Sequence, residues 1–129
     1  HIFACYDPEK HLGNLSKARK LYFVDPLIYG LAFAWRTGAA NPFRWFESEL
    51  EEPAFRGKIF ESVVASRMKR QHERVYFWYS AKTQQEVDIV LDRGQNFELF
   101  DVKLSQPSHV PKVLVQSQKI ILPEDFAAL

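Results

Sequence analysis

The stretch "QEVDIVLDRGQNFELFDVK", residues 85 to 103, sets Asp88, Asp101 and Lys103 into an otherwise apolar fabric. Strand side chains alternate sides, so Asp101 and Lys103, two positions apart, point the same way. The turn "DRGQN" folds the preceding run back against them and brings Asp88 across. A fourth group, Glu61, comes from "AFRGKIFESVVASRMKRQ" (54–71), where it stands three and four residues before Val64 and Ala65, beside the apolar stripe. Three carboxylates and one ammonium drawn to one spot repel, and their pKa values climb unless a cation joins them. Magnesium is hard, prefers oxygen and takes one or two carboxylates. Such an ion activates water for attack on phosphorus, and a neighbouring lysine orients the water or offsets phosphate charge. That is the chemistry of phosphodiester hydrolysis.

A plainer reading stands beside it. With 17 Lys and Arg and 16 Asp and Glu in 129 residues, an acid-x-lysine tripeptide such as "DVK" arises by chance. An exposed Asp101–Lys103 pair would contribute under about 1 kcal/mol, and a lone Asp88 would serve as a charge that keeps a strand edge from aggregating. Residue pattern alone leaves both readings open.

Positioning the four groups requires a helix and a strand pair, and the sequence supplies both. Phe55, Ile59, Phe60, Val64 and Met68 recur at helical spacing and predict a helix over 54–71. "RVYFWYSA" (74–81) is a dense β-type run, followed by the hairpin already described. Upstream, "HIFACY" and "RKLYFVD" (19–25) predict a small hairpin across the turn-rich "DPEKHLGN". Asp25 as N-cap and Pro26 as first residue open a helix through "LIYGLAFAWRT" that Gly38 stops, and "GAANPF" is a loop. Beyond Lys103 come a polar loop with Pro107 and Pro111, the runs "KVLVQS" (112–117) and "KIILP" (119–123), and a terminal helical turn in "EDFAAL". Helices on a mainly β core imply an α+β or mixed α/β layer architecture.

Length bounds the chain to one domain with a real core. A net charge of +1 excludes a protein that coats nucleic acid by bulk charge, although "SKARK" (16–20) and "RMKRQHER" (67–74) are locally basic and "ESELEE" (47–52) acidic. The single cysteine, Cys5, excludes an intrachain disulfide and a cysteine-based zinc site. Histidines at 1, 11, 72 and 109 have no metal-ligand spacing. The apolar run "LIYGLAFAW" (27–35) covers about half the roughly 20 residues a bilayer needs, so no membrane partner is expected. No signal-peptide pattern opens the chain, which points to the cytoplasm. Its first residue is His1 rather than Met, as in a piece of something longer.

Order and spacing add a resemblance. Glu61 in "GKIFES", Asp88 in "EVDIVL", and Asp101 and Lys103 in "FDVK" resemble the motif of the PD-(D/E)xK nuclease superfamily, with its restriction-endonuclease-like fold. More closely, "SKARKLYFVDPLIYGLAF", "RGKIFESVVASRMKR", "VYFWYSAKTQQEVDIVL" and "FELFDVKLS" look like the uncharacterised domain at the C-terminus of many bacterial and archaeal AAA+ ATPases. The likeness covers nearly the whole chain. It implies a mixed sheet flanked by helices over 27–129, preceded by a hairpin (1–26) similar to a winged-helix wing or a linker to an ATPase module. It also implies that Asp88, Asp101 and a backbone carbonyl between acid and lysine hold Mg²⁺ or Mn²⁺, that Glu61 matches the helix acid, and that Lys103 positions the attacking water.

Two departures stand out. No G-x-x-x-x-G-K-[ST] loop occurs, so this chain has no ATP site of that kind. The helix that the superfamily places after the (D/E)xK strand is replaced by "LSQPSHVP", short for a parallel crossover. The expected function is a Mg²⁺-dependent nuclease-like domain acting on DNA. The alternative is an inactive nuclease-fold module that docks DNA or a protein for the ATPase, with Lys17, Arg19, Lys20, Lys69 and Arg70 as phosphate contacts. A third option, a homo-oligomer, would use the aromatic runs at 21–35 and 75–79.

Overall fold

The computed structural model describes residues 1–114 and 116–129. Strands β1 (Ile2–Asp7) and β2 (Leu12–Leu21) are followed by helices α1 (Pro26–Arg36), α2 (Pro42–Glu49) and α3 (Pro53–Gln71). A meander of β3 (Val75–Ser80), β4 (Gln85–Asp92) and β5 (Phe97–Val102) comes next. The short β6 (Lys112–Val113) and β7 (Gln116–Ser117) pair with each other, β8 (Lys119–Ile121) lies beside β5, and a 3-10 helix spans Pro123–Ala128. The main sheet has six strands in the order β2-β1-β3-β4-β5-β8. It is mixed, with β1–β3 and β5–β8 parallel and the other pairs antiparallel. The expected α/β class, a mixed sheet flanked by helices, is what the chain adopts.

One face of the sheet carries the main core. Val64, Ala65 and Met68 of α3 pack against Phe3, Cys5, Val75, Phe77, Ile89, Leu91, Val102 and Ile121. Tyr6, Val87, Val90, Leu99 and Val113 form a smaller cluster, with Tyr76, Trp78 and Phe97 against it. The helical stripe read from the sequence is thus the buried one, although its first members, Phe55 and Ile59, are only half buried.

Four features bear on the sequence reading. The opening hairpin joins the main sheet: β1 lies between β2 and β3 and bridges the latter at Cys5–Phe77. Phe3, Ala4, Cys5 and Tyr6 are all buried, and a strand apolar on both faces needs a neighbour on each side of the sheet. Second, β2 begins at Leu12 and stops at Leu21, where a strand over 19–25 was expected. Its ladder steps from Ala4–Arg19 to Cys5–Asn14, so residues 15–18 bulge out of the pairing. Third, α2 starts within the loop expected at 38–43 and runs on through Glu49: Asn41 accepts the Arg44 amide at 3.2 Å and Pro42 takes the first helical position. Fourth, β8 lies parallel to β5, and among the described residues the segment between them carries the β6–β7 ladder where "LSQPSHVP" had already replaced the superfamily's helix. Residue 115, within the run expected at 112–117, lies outside the described residues.

Helices α1 and α2 pack through a close approach. A Cβ on Gly30 would lie 1.9 Å from Cδ2 of Phe46, so only glycine lets the two helices meet there. The Asp25 side chain accepts the Leu27 amide at 2.9 Å and starts α1 as expected. Ser66 on α3 donates to the Phe23 carbonyl at 2.9 Å and ties the segment after β2 to the core. Among the described residues, no helix is long and apolar enough to cross a membrane.

Candidate active site

The charged groups meet where β2, α3, β4 and β5 come together. In the β1–β2 ladder Lys20 is opposite Phe3, and opposite residues share a face. Phe3 belongs to the core under α3, so Lys20 is turned inward toward that helix. Its Nζ lies 3.0 Å from Oε1 of Glu61 and 3.5 Å from Oδ1 of Asp88, and it also pairs with Glu86. Tyr22, two residues on, donates its hydroxyl to the same Glu61 oxygen and packs edge-on against Phe3, with ring centroids 4.9 Å apart. The Phe77 ring lies 5.6 Å beneath the Lys20 ammonium, a distance suited to a cation–π contact.

A bulge aims Asp88. Between Tyr76–Val90 and Trp78–Val87, β4 advances one residue more than β3. The extra residue shifts the phase of β4: Val87 and Val90 lie in the smaller cluster, Ile89 and Leu91 in the main one. The β4–β5 ladder is intact through Ile89–Phe100. Beyond that pair, the Asp88 carboxylate accepts the Val102 amide through Oδ2 at 2.9 Å, in place of a main-chain acceptor. That hold sets Asp88 facing Asp101, whose own Oδ2 lies 3.0 Å from Lys103 Nζ. All four residues singled out in the sequence therefore belong to one connected charged cluster.

The electrostatics follow from this crowding. The Asp88 carboxyl is pushed up from 3.8 to about 6, chiefly by burial and then by the facing Asp101 carboxyl, which outweigh the Val102 amide and Lys20. Lys20 is held above the ordinary lysine value: burial works against its charge, but Glu61, Glu86 and Asp88 prevail. Burial and then Glu61 raise the Tyr22 hydroxyl, which stays protonated and donating. Lys103 is raised as well, the hydrogen bond to Asp101 and the field of the acids overcoming its desolvation.

A pH prediction arises here. The folded-state value of Asp88 exceeds its ordinary one, so between about pH 4 and 6 the native state holds a proton that the unfolded chain has lost. Its contribution to stability therefore falls as pH rises through that window. Asp88→Asn removes the effect and keeps an acceptor for Val102. The variant is expected to gain on the parent as pH rises from 4 to 7, on the order of 1–3 kcal/mol in all. Urea midpoints of both proteins across that range measure it, and a gap that narrows with rising pH would contradict it.

Among the described residues, no three His, Cys, Asp or Glu side chains are gathered in a way that would hold a metal ion. The Asp88–Asp101 pair nonetheless fits Mg²⁺ chemically, since that ion takes one or two carboxylates and keeps the rest of its shell as water. Two facing acids, one with a raised pKa, also need positive charge nearby. Glu61 is joined to Asp88 through Lys20.

Beside the acids opens a cleft of about 340 Å³, lined among others by Lys20, Tyr22, Phe23, Tyr29, Lys58 and Glu86. The expected phosphate contacts are dispersed. Lys17 and Arg19 are exposed near the bulged part of β2, and Arg19 donates to the Leu15 carbonyl at 2.8 Å. Lys69 and Arg70 sit in the last turn of α3, where cations favour the helix dipole, and Lys69 donates to the Glu73 carbonyl at 2.7 Å. Lys20 is not available for phosphate in this arrangement, because the three acids surround it. Sequence reasoning missed this inward role, together with Tyr22 and Glu86. Spacing carried a signal: Lys20 and Tyr22, like Glu86 and Asp88, stand two apart in extended runs.

The chain matches the family described as Domain of unknown function (DUF4143) over residues 56–124, a span that contains Glu61, Asp88, Asp101 and Lys103. No curated protein and no solved structure matches it.

Proposed function

This chain belongs to the DUF4143 family, and from that premise we propose that it is a metal-dependent nuclease-like domain that hydrolyses phosphodiester bonds in DNA. The observation that carries this reading is the convergence of Asp88, Asp101 and Lys103, with Glu61 tied to Asp88 through Lys20. Order and types of these residues match the PD-(D/E)xK pattern, and the sequence likeness to the C-terminal domains of AAA+ ATPases makes an ATPase module of the parent chain the expected partner, in the cytoplasm. Asp88, Asp101 and the Val102 carbonyl would hold Mg²⁺ or Mn²⁺, which supplies a Lewis acid at phosphate and an acidified water. Lys103, kept protonated by Asp101, donates to the attacking oxygen or to a phosphate oxygen and offsets charge as it develops. Tyr22 and Lys20 fix Glu61 in the lining of the cleft. Lys58, in the same lining, would be a cation for the flanking phosphate.

The test is nicking of supercoiled DNA by the purified protein with Mn²⁺ or Mg²⁺. Cleavage that stops with a chelator and is missing from an Asp88→Ala, Asp101→Ala double variant is the expected result. Cleavage that survives both substitutions belongs to a contaminant, and none by the parent rejects the reading. One observation favours the second reading, a non-catalytic docking module: Lys20 already balances part of the acidic charge. DNA binding that needs no metal and weakens steeply with salt is its signature.

A further inference from the structure

Four carboxylates and two ammonium groups make up the cluster, and one ammonium arrives from outside the motif. Lys20 comes from the β1–β2 hairpin, whereas Glu61 is on α3, Glu86 and Asp88 on β4, and Asp101 on β5. The lysine is no loose surface contact. Its side chain is 22% exposed, it reaches three acids from two elements, and Phe77 supports it from below. It takes up Oδ1 of Asp88 while the Val102 amide takes up Oδ2, so both oxygens of the acid best placed to hold a metal are already engaged.

We propose that Lys20 is a resident counter-cation that competes with a divalent ion for this cluster, so that metal loading requires the Lys20 ammonium to leave Asp88. The proposal rests on the nuclease reading only for the identity of the competing ion. A divalent cation and an ammonium on one carboxylate oxygen repel, and with Lys20 seated the cluster carries one negative charge fewer for the incoming ion. The hairpin that bears Lys20 pairs with the sheet through β1 and ties to α3 through Tyr22 and the Phe23 carbonyl. Any partner that pulls on β2 therefore acts directly on the metal affinity of the site.

Mn²⁺ alone is the probe, followed by the loss of its free electron-paramagnetic-resonance signal on binding, without DNA. Lys20→Met is expected to bind Mn²⁺ at least about tenfold more tightly than the parent. Lys20→Arg, which keeps the charge, should not share the gain, and Lys20→Met with Asp88→Asn should lose it. An unchanged Mn²⁺ affinity in folded Lys20→Met overturns the proposal. A second measurement uses the unaltered protein, in case Lys20→Met does not fold. Saturating Mn²⁺ should raise acetylation of Lys20 by an N-hydroxysuccinimide ester severalfold relative to Lys17, and unchanged labelling overturns the proposal equally. These outcomes separate from the fate of the nuclease reading: a Mn²⁺ gain with no cleavage by any variant leaves the competition standing and removes the activity. Cleavage by a parent whose Mn²⁺ affinity ignores residue 20 does the reverse.

Discussion

Lys103→Met is expected to slow metal-dependent DNA cleavage by roughly 100- to 1000-fold, the usual cost of losing one preorganised donor to developing charge. Its thermal stability should barely change. The Lys103 side chain is 45% exposed and, among the described residues, its only ion pair is with Asp101 at 3.0 Å, a contact worth about 0–1 kcal/mol. This separation of effects gives the variant its value, because a structural role would move both readouts. The raised pKa of Lys103 adds a pH test. The ammonium persists through neutral pH, so Lys103 acts as a cation and donor and not as a proton acceptor. Single-turnover rates of the parent between pH 7 and 9 should show no rise attributable to loss of a lysine proton. A variant that still cuts within a few-fold of the parent would remove Lys103 from the mechanism.

Phe3→Ala should cost about 3–5 kcal/mol, the range for emptying a fully buried aromatic site. Phe3 is 0% exposed, packs against Tyr22, and shares one core with Val64 of α3 and Ile89 of β4. That loss is a large part of the 5–15 kcal/mol that holds a domain of this size together. Urea unfolding monitored by circular dichroism measures it. Were the hairpin an appendage to a core beginning at residue 27, the transition of that core would move by less than about 1 kcal/mol. Because Phe3 is also the ladder partner of Lys20, the same substitution loosens the lysine that bridges Glu61 and Asp88.

Much of the site was legible without coordinates, for reasons local to the chain. Period-2 alternation placed Asp101 of β5 and Lys103, one residue past its end, on one side, and "DRGQN" dictated the hairpin that brings β4 alongside. Helical spacing in 54–71 put Glu61 on the flank of the α3 stripe, where it is found. Asp25 and Pro26 opened α1 through a cap that depends on adjacent residues alone.

Other features depended on contacts between segments far apart in the chain, and only the folded molecule decided them. The basic run "SKARK" reads as a solvated stretch, yet its last lysine faces inward because pairing with Phe3 sets which face of β2 it occupies. The β4 bulge that turns Asp88 toward Asp101 is a mismatch in length between two paired strands, which no single strand encodes. Joining β1 to β3 likewise required both partners, and it made the opening hairpin one edge of the six-stranded sheet, with β2 outermost. The types and spacings of the acids and of Lys103 were properties of the sequence. The cation placed among those acids was a property of the tertiary structure, because Lys20 and Asp88 meet only when residues 68 positions apart are packed into one fold.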